Sequence, residues 1–208
     1  MAEVNTGFRG LLRYAAIYEI LQSLMGAERG RRHFVSKHVR PNSGDVVVDI
    51  GCGPAELLRH MPAVRYFGYE PNPRYVERAK KAFSDQVASG LGNFQCKYFD
   101  EDDLAQLPPV DIAIVSAVLH HMDDEQAQHL FGLFRKILKP GGRVVTLDNV
   151  FVDNQNPIAR FLISMDRGQN VRSPEGYAAL AEGVFDRIDT TVEHRRFPPY
   201  THFIMTAS

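Results

Sequence analysis

Val46-Val47-Val48-Asp49-Ile50-Gly51-Cys52-Gly53-Pro54-Ala55 decides the fold of this chain. An apolar run closed by an acid reads as a buried strand, and the glycines after it read as a tight turn. Glycine lets the backbone reach φ > 0 and lets a ligand lie against the main chain. Such a strand–turn–helix junction marks a nucleotide-type site at the carboxyl edge of a parallel sheet. The dinucleotide fingerprint G-x-G-x-x-G needs its third glycine where this chain has Glu56. Asp49, just before the turn, would repel a pyrophosphate at short range. The turn therefore favours a ligand with positive charge and no phosphate.

Working outward, strands and helices alternate. Residues 7–38 read as helical, broken near Gly26, and Pro41-Asn42-Ser43-Gly44 ends that segment. Strand 46–50 leads through the turn to a short helix ending near Met61. Strand 65–69, a helix from Pro73 to Val87, strand 93–98 and the apolar strand 111–115 follow. Asp123 or Asp124 caps the next helix, whose stripe is Ala127, Leu130, Phe131, Phe134, Ile137 and Leu138. Lys139-Pro140-Gly141-Gly142 stops it before strand 143–148. An irregular stretch, 149–173, holds a helix around 157–166, and Ser173-Pro174-Glu175 opens another. Strands 184–193 and 200–206, with a turn at Pro198-Pro199, pair as a hairpin. Right-handed crossovers then predict an α/β, Rossmann-like, doubly wound and mostly parallel seven-stranded sheet, with a C-terminal antiparallel hairpin and N-terminal helices.

The chain's 208 residues suffice for one domain with a real core, and its net charge of −1 supplies no field to recruit nucleic acid or an anionic membrane. The basic stretch Arg29–Arg40 reads as a solvated helix face. Cys52 and Cys96 form no metal or disulfide pattern, which suits a reducing, cytoplasmic setting. No apolar run approaches the ~18 residues of a membrane span.

Glu70 ends the second strand about 20 residues beyond the turn, where an acid accepts hydrogen bonds from ribose hydroxyls. S-adenosylmethionine, with its sulfonium and ammonium groups, is a ligand of the charge that Asp49 favours. The run Asp49-Ile50-Gly51-Cys52-Gly53-Pro54-Ala55 resembles the first motif of the class I S-adenosylmethionine-dependent methyltransferase family, with Ala55 in place of a frequent third glycine. Tyr69-Glu70-Pro71-Asn72, the stretch Val110 to Met122 and Leu138-Lys139-Pro140-Gly141-Gly142-Arg143 resemble later motifs of the same family. Asp166-Arg167-Gly168, Val171-Arg172 and Pro199-Tyr200-Thr201-His202 look similar to a group of small bacterial methyltransferases. The resemblance covers about residues 40–150, and the expected organisation is one domain, 1–208, with a helical lid over 1–40, a cofactor-binding core over 41–150, and a substrate-side segment with the terminal hairpin over 151–208.

The family's pattern implies roles. Backbone at Gly51, Cys52 and Gly53 would lie against the methionine part of the cofactor, and Asp49 would reach its ammonium. Glu70 would bind the ribose, Pro71 or Asn72 would flank the adenine, and Ser116 and Ala117 would touch the methionyl end. The third motif departs from the pattern: the slot of its usual Asp falls at Tyr98, so Phe99 and Asp100 are the expected adenine contacts, with Asp102 or Asp103 as alternatives. The expected activity is methyl transfer to a small-molecule acceptor, leaving S-adenosylhomocysteine.

Catalytic candidates are His121 and His120, just past the fourth strand, and His202 on the last strand. Imidazole titrates near neutrality and can take an acceptor's proton. For each, packing or capping is the competing reading. Tyr200 shares a strand face with His202. Arg160, Arg167 and Arg172 offer guanidiniums for an anionic substrate group, against pairing with Asp166, Glu175 or Glu182. Tyr14 and Tyr18, one helical turn apart, would lid the cofactor or pack in the core. Asp148-Asn149 ends the fifth strand where metal-dependent catechol-type enzymes place such a pair. The stretch from Ser116 to Met122 lacks the further acid those enzymes use, so no catalytic metal is expected and Asn149 joins the substrate-side candidates. Two rival readings are a nicotinamide-dependent oxidoreductase and a non-catalytic methyltransferase-like subunit. Oligomeric state has no sequence signal.

Overall fold

The computed structural model describes residues 27–165, 170–196 and 199–208. The expected helix before Gly26, with Tyr14 and Tyr18, lies outside the described residues, as do Asp166, Arg167, Gly168 and Pro198. The strands are β1 (Val46–Ile50), β2 (Arg65–Tyr69), β3 (Gly92–Gln95), β4 (Val110–Ser116), β5 (Leu138–Asn149), β6 (Ile188–Arg196) and β7 (Pro199–Ala207). They form one seven-stranded sheet in the order β3-β2-β1-β4-β5-β7-β6. β1 to β5 pair in parallel, and β7 runs antiparallel to both β5 and β6, as the expected hairpin requires. From β1 the chain winds outward to β2 and β3, then returns to β4 on β1's other side. Crossovers therefore leave in opposite directions between β1 and β4, and a crevice opens at their carboxyl ends.

The helices are α1 (Ala27–Phe34), α2 (Pro73–Ala82), α3 (Ser84–Ala88), α4 (Glu101–Leu104), α5 (Asp124–Ile137), α6 (Pro157–Ser164) and α7 (Pro174–Ala179). Side-chain alternation divides the core. Val47, Ile112 and Ile114 meet Phe34 of α1, Val76 of α2, and Val39 and Phe83 just beyond those helices on one face. Val48, Ile50, Ala113 and Val115 meet Leu130, Phe131 and Phe134 of α5 on the other. All five residues of β1 are buried, as a central parallel strand demands. Asp123 caps α5 by accepting the Gln126 N–H at 2.8 Å, while the Gln126 side chain reaches back to the Asp123 N–H in a capping box.

Several boundaries differ from the sequence reading. After the glycine turn the chain makes only a 3₁₀ turn, Leu58–His60, in place of a helix. The helix from Pro73 breaks at Phe83, whose φ of −122° and ψ of 38° are not helical. β3 ends at Gln95, earlier than Tyr98, and the hairpin's first strand starts at Ile188. Lys139-Pro140-Gly141-Gly142 belongs to β5, with Leu138 opposite Val110 and a register shift before Arg143 meets Ile112. A Cβ at Gly142 would lie 2.8 Å from the Val110 carbonyl oxygen, so the close approach of β5 to β4 requires glycine there.

Candidate cofactor and acceptor site

The turn after β1 is built around Gly51 and Gly53, with φ of 65° and 54°. The Gly51 N–H donates to the Tyr69 carbonyl at 2.8 Å, which ties the turn to the end of β2. A Cβ on Gly51 would stand 2.4 Å from Val118 Cγ2 in the loop after β4. Glycine is thus required by both conformation and space. Ala55, at the position of the frequent third glycine, also holds a left-handed φ of 57° and is fully buried.

Glu70 is the hub between the loops that follow β1 and β2. Its Oε2 accepts the Gly53 N–H at 3.1 Å and its Oε1 accepts the Asn72 N–H at 2.8 Å. Each oxygen keeps a lone pair for a ligand hydroxyl. Asn72 spends its own side chain capping α2, accepting the Arg74 N–H at 3.0 Å.

Asp49 is 1 % exposed, and Oδ2 accepts the Tyr66 hydroxyl at 2.5 Å. Burial pushes its carboxyl up from 3.8 to about 7; the Tyr66 hydrogen bond opposes the rise and the nearby Glu70 charge adds to it. A carboxyl so placed gains most from a cation that replaces its lost hydration. The Cys52 thiol, between these acids, is also driven up, first by burial and then by the Asp49 and Glu70 charges. It is therefore inert as a nucleophile. Gly68 makes room for it, since a Cβ there would meet Cys52 Sγ at 2.8 Å.

Two adjoining cavities share Gly51 and Ser116. The smaller, about 150 Å³, is walled by Asp49, Cys52, Glu56 and, from α1, Arg31. The larger, about 760 Å³, lies within the range usual for small-molecule sites. Glu70, Pro71, Tyr98, Phe99, Ala117 and His121 line it. Ala117 takes a left-handed φ of 58°, and its N–H donates to the Leu147 carbonyl at 2.7 Å. Phe99 stands edge-on to Tyr69, with ring centroids 4.9 Å apart. Asp100, expected beside it as an adenine contact, instead caps α4 and pairs with Lys97 at 3.1 Å; among the described residues it lines neither cavity. Lys97 and Tyr98 stand on the wall of the larger cavity.

The histidines separate. His121 is exposed on the wall of the larger cavity. His120 is 2 % exposed, and its Nδ1 and backbone N–H meet Asp148 Oδ1 at 2.8 and 3.2 Å. Burial raises the Asp148 carboxyl, against the pull of its His120 contacts. The two imidazole rings lie 4.1 Å apart, so the buried pair backs the exposed ring. His202 stands opposite Asn149 and Glu193 in the sheet and stacks on Tyr200 at 5.2 Å. Burial lowers it to about 4, and it lines neither cavity among the described residues.

The two described arginine candidates, Arg172 and Arg160, take structural partners, and Arg167 lies outside the described residues. Arg172 makes bonds of 2.9 and 2.7 Å to Asp124 Oδ1 and donates to the carbonyls of Leu119 and Met122 at 3.0 and 2.8 Å. It clamps the loop that carries both histidines; its acidic partner among the described residues is Asp124, where Glu175 or Glu182 was expected, and the expected Asp166 lies outside the described residues. Arg160 lies over the Phe151 ring at 5.1 Å. Asn149 is buried, and its carbonyl accepts the Tyr177 hydroxyl at 2.9 Å. Sequence reasoning missed Tyr66, Arg31 and Val118. Only the parallel register, with Val47 beside Tyr66, reveals the first.

Comparison with known proteins agrees with this geometry. A family model described as a methyltransferase domain matches residues 48–144. An uncharacterized methyltransferase of Geobacillus sp. (strain WCH70) is 25 % identical over 123 residues, 56 % of this chain and 53 % of that protein. Acetylserotonin O-methyltransferase of Mus musculus is 27 % identical over 154 residues, 69 % of this chain and 40 % of that protein. The chain spans about half the length of the first curated relatives it matches. The crystal structure of a SAM dependent methyltransferase from Archaeoglobus fulgidus superposes with a TM-score of 0.69 at 14 % identity, covering 92 % of this chain and 99 % of that one. Among the described residues no helix is long and apolar enough to cross a membrane. The domain match falls on the strands and turn that build the site, and together with the methyltransferase relatives and the like fold it supports a class I S-adenosylmethionine-dependent methyltransferase.

Proposed function

We propose that this chain transfers a methyl group from S-adenosylmethionine to an oxygen or nitrogen atom of a small-molecule acceptor, without a catalytic metal. One observation carries the reading: buried Asp49 and the doubly anchored Glu70 flank the Gly51–Gly53 turn on adjoining cavities at the switch point of the sheet. The donor set fits the cofactor. Asp49 suits its cationic end, Glu70 its ribose hydroxyls, and Tyr98, Phe99 and Pro71 offer apolar surface for a base. Arg31, across the smaller cavity from the acid, suits a carboxylate.

The bound cofactor supplies a methyl carbon already activated by its sulfonium, so the protein's part is positioning and proton handling. His121 stands where it can take a proton from an acceptor hydroxyl or amine. Asp148 holds His120, and His120 supports the His121 ring from behind. Asp148 is thereby committed to an imidazole and withdrawn from the surface that a catalytic metal would occupy. The O-directed half of the proposal draws on the likeness to an O-methyltransferase.

The test is transfer of labelled methyl from S-adenosylmethionine to a panel of phenolic and amine compounds by the full chain. Time-dependent labelling of at least one class is expected, with a loss of about 100-fold in kcat for His121→Ala. Transfer that is equal in wild type and His121→Ala would remove the histidine from the mechanism. Cofactor binding with no transfer to any acceptor would overturn the proposed activity.

A further inference from the structure

Away from both cavities, α1 meets the edge strand β6 through a cluster that the methyltransferase reading does not use. After Phe34 the helix loosens into a π turn, Val35–Val39, closed by the Arg40 N–H on the Val35 carbonyl at 2.7 Å. In an α-helix, residues five apart point in widely different directions. A π turn, with its i to i+5 bonding, brings them onto one face, and such turns are frequent at functional sites. Here His33 and His38 meet edge to face, with ring centroids 6.0 Å apart. Both rings turn Nε2 toward one carboxylate: His33 lies 3.2 Å from Glu193 Oε2 and His38 lies 3.0 Å from Glu193 Oε1.

We propose that His33, His38 and Glu193 form a binding site for a zinc-class divalent metal ion that clips α1 to β6. Two imidazoles and a carboxylate are a ligand set that zinc accepts, with a fourth position open to water. Bonds of 2.0–2.1 Å in a tetrahedron separate ligand atoms by about 3.3 Å. To the single oxygen Glu193 Oε1, His33 and His38 Nε2 stand at 3.3 and 3.0 Å, within a few tenths of that edge, and the three ligand atoms all lie within 4.8 Å of one another. The three side chains are 51 %, 11 % and 22 % exposed, which leaves an entry path on the His33 side.

Lys37 competes for this position. Its ammonium lies 2.6 Å from Glu193 Oε1 and holds the carboxylate in the metal-free protein. The side chain is 54 % exposed on a flexible stem and can swing into water when an ion enters. The ligands join segments some 160 positions apart, and α1 also carries Arg31 on the wall of the smaller cavity. An ion here would fix the height of that arginine above Asp49.

Metal-stripped, tag-free full chain is titrated with Co²⁺, read by its visible ligand-field absorption, and then with Zn²⁺ in competition and by calorimetry. Saturable binding of one ion per chain is expected. His33→Gln and Glu193→Gln, both at positions open enough for folding to survive, should weaken it at least tenfold. Lys37→Met should tighten it several-fold by removing the rival cation. Lack of saturable binding, equal binding in His33→Gln and Glu193→Gln, or weaker binding in Lys37→Met would each overturn the assignment. The last outcome would show the cluster to be an ionic clip held by the lysine.

Discussion

Asp49→Asn should stabilise the empty protein at alkaline pH while impairing its site. The Asp49 carboxyl is raised from 3.8 to about 7, and burial is the main cause. The folded chain therefore keeps a proton that the unfolded chain releases. Stability falls as pH climbs from the unfolded value through the folded one, and it levels off above about pH 7. A difference of about 3 pK units at about 1.4 kcal/mol each gives roughly 4 kcal/mol at pH 8, and about 2 kcal/mol at pH 5. Asparagine has the same shape and no charge to desolvate. It still accepts the Tyr66 hydroxyl, and the rise to about 7 already nets that bond against burial. Urea unfolding should show Asp49→Asn more stable than wild type by about 4 kcal/mol at pH 8 and by about 2 kcal/mol at pH 5. An equal effect at the two pH values, or net destabilisation at pH 8, would refute the claim that a buried, ionised Asp49 is held at the cost of stability.

Gly51→Ala should lower stability by at least 1–2 kcal/mol from the left-handed backbone alone, before the contact with Val118 is counted. Chemical denaturation measures this, and wild-type stability would mean the turn relaxes freely. Arg172→Lys keeps the charge but loses the forked contacts to Asp124, Leu119 and Met122. A loss of about 2 kcal/mol, read as a fall in Tm of about 4–8 °C, is expected, together with a lower kcat as the histidine loop loosens. An unchanged Tm would show the clamp to be idle.

The central architecture was legible because its causes are local. An apolar run, an acid and glycines needing φ > 0 announce β1 and its turn, and a capping residue with an apolar stripe announces α5. What escaped depends on contacts distant in sequence. Glycines 141 and 142 look like a loop, yet both lie in β5, and Gly142 lets that strand approach the Val110 carbonyl. Asp100 falls near the slot of an adenine-binding acid, but β3 ends at Gln95, which leaves Asp100 to start a helix. Arg172 had nearer acids to pair with, and it found Asp124, 48 positions away, because the loop after β4 folds beneath it. His120 and His121 are adjacent and similar in sequence; only the fold buries one on Asp148 and leaves the other on the cavity wall.

Calorimetric titration with S-adenosylmethionine and S-adenosylhomocysteine at pH 8 tests the assignment of the site most directly. Wild type should bind both at one site per chain with micromolar or tighter affinity, and Asp49→Asn and Glu70→Gln should each weaken binding at least tenfold. Absence of binding to wild type, or undiminished binding in both variants, would contradict a cofactor site built on the turn after β1.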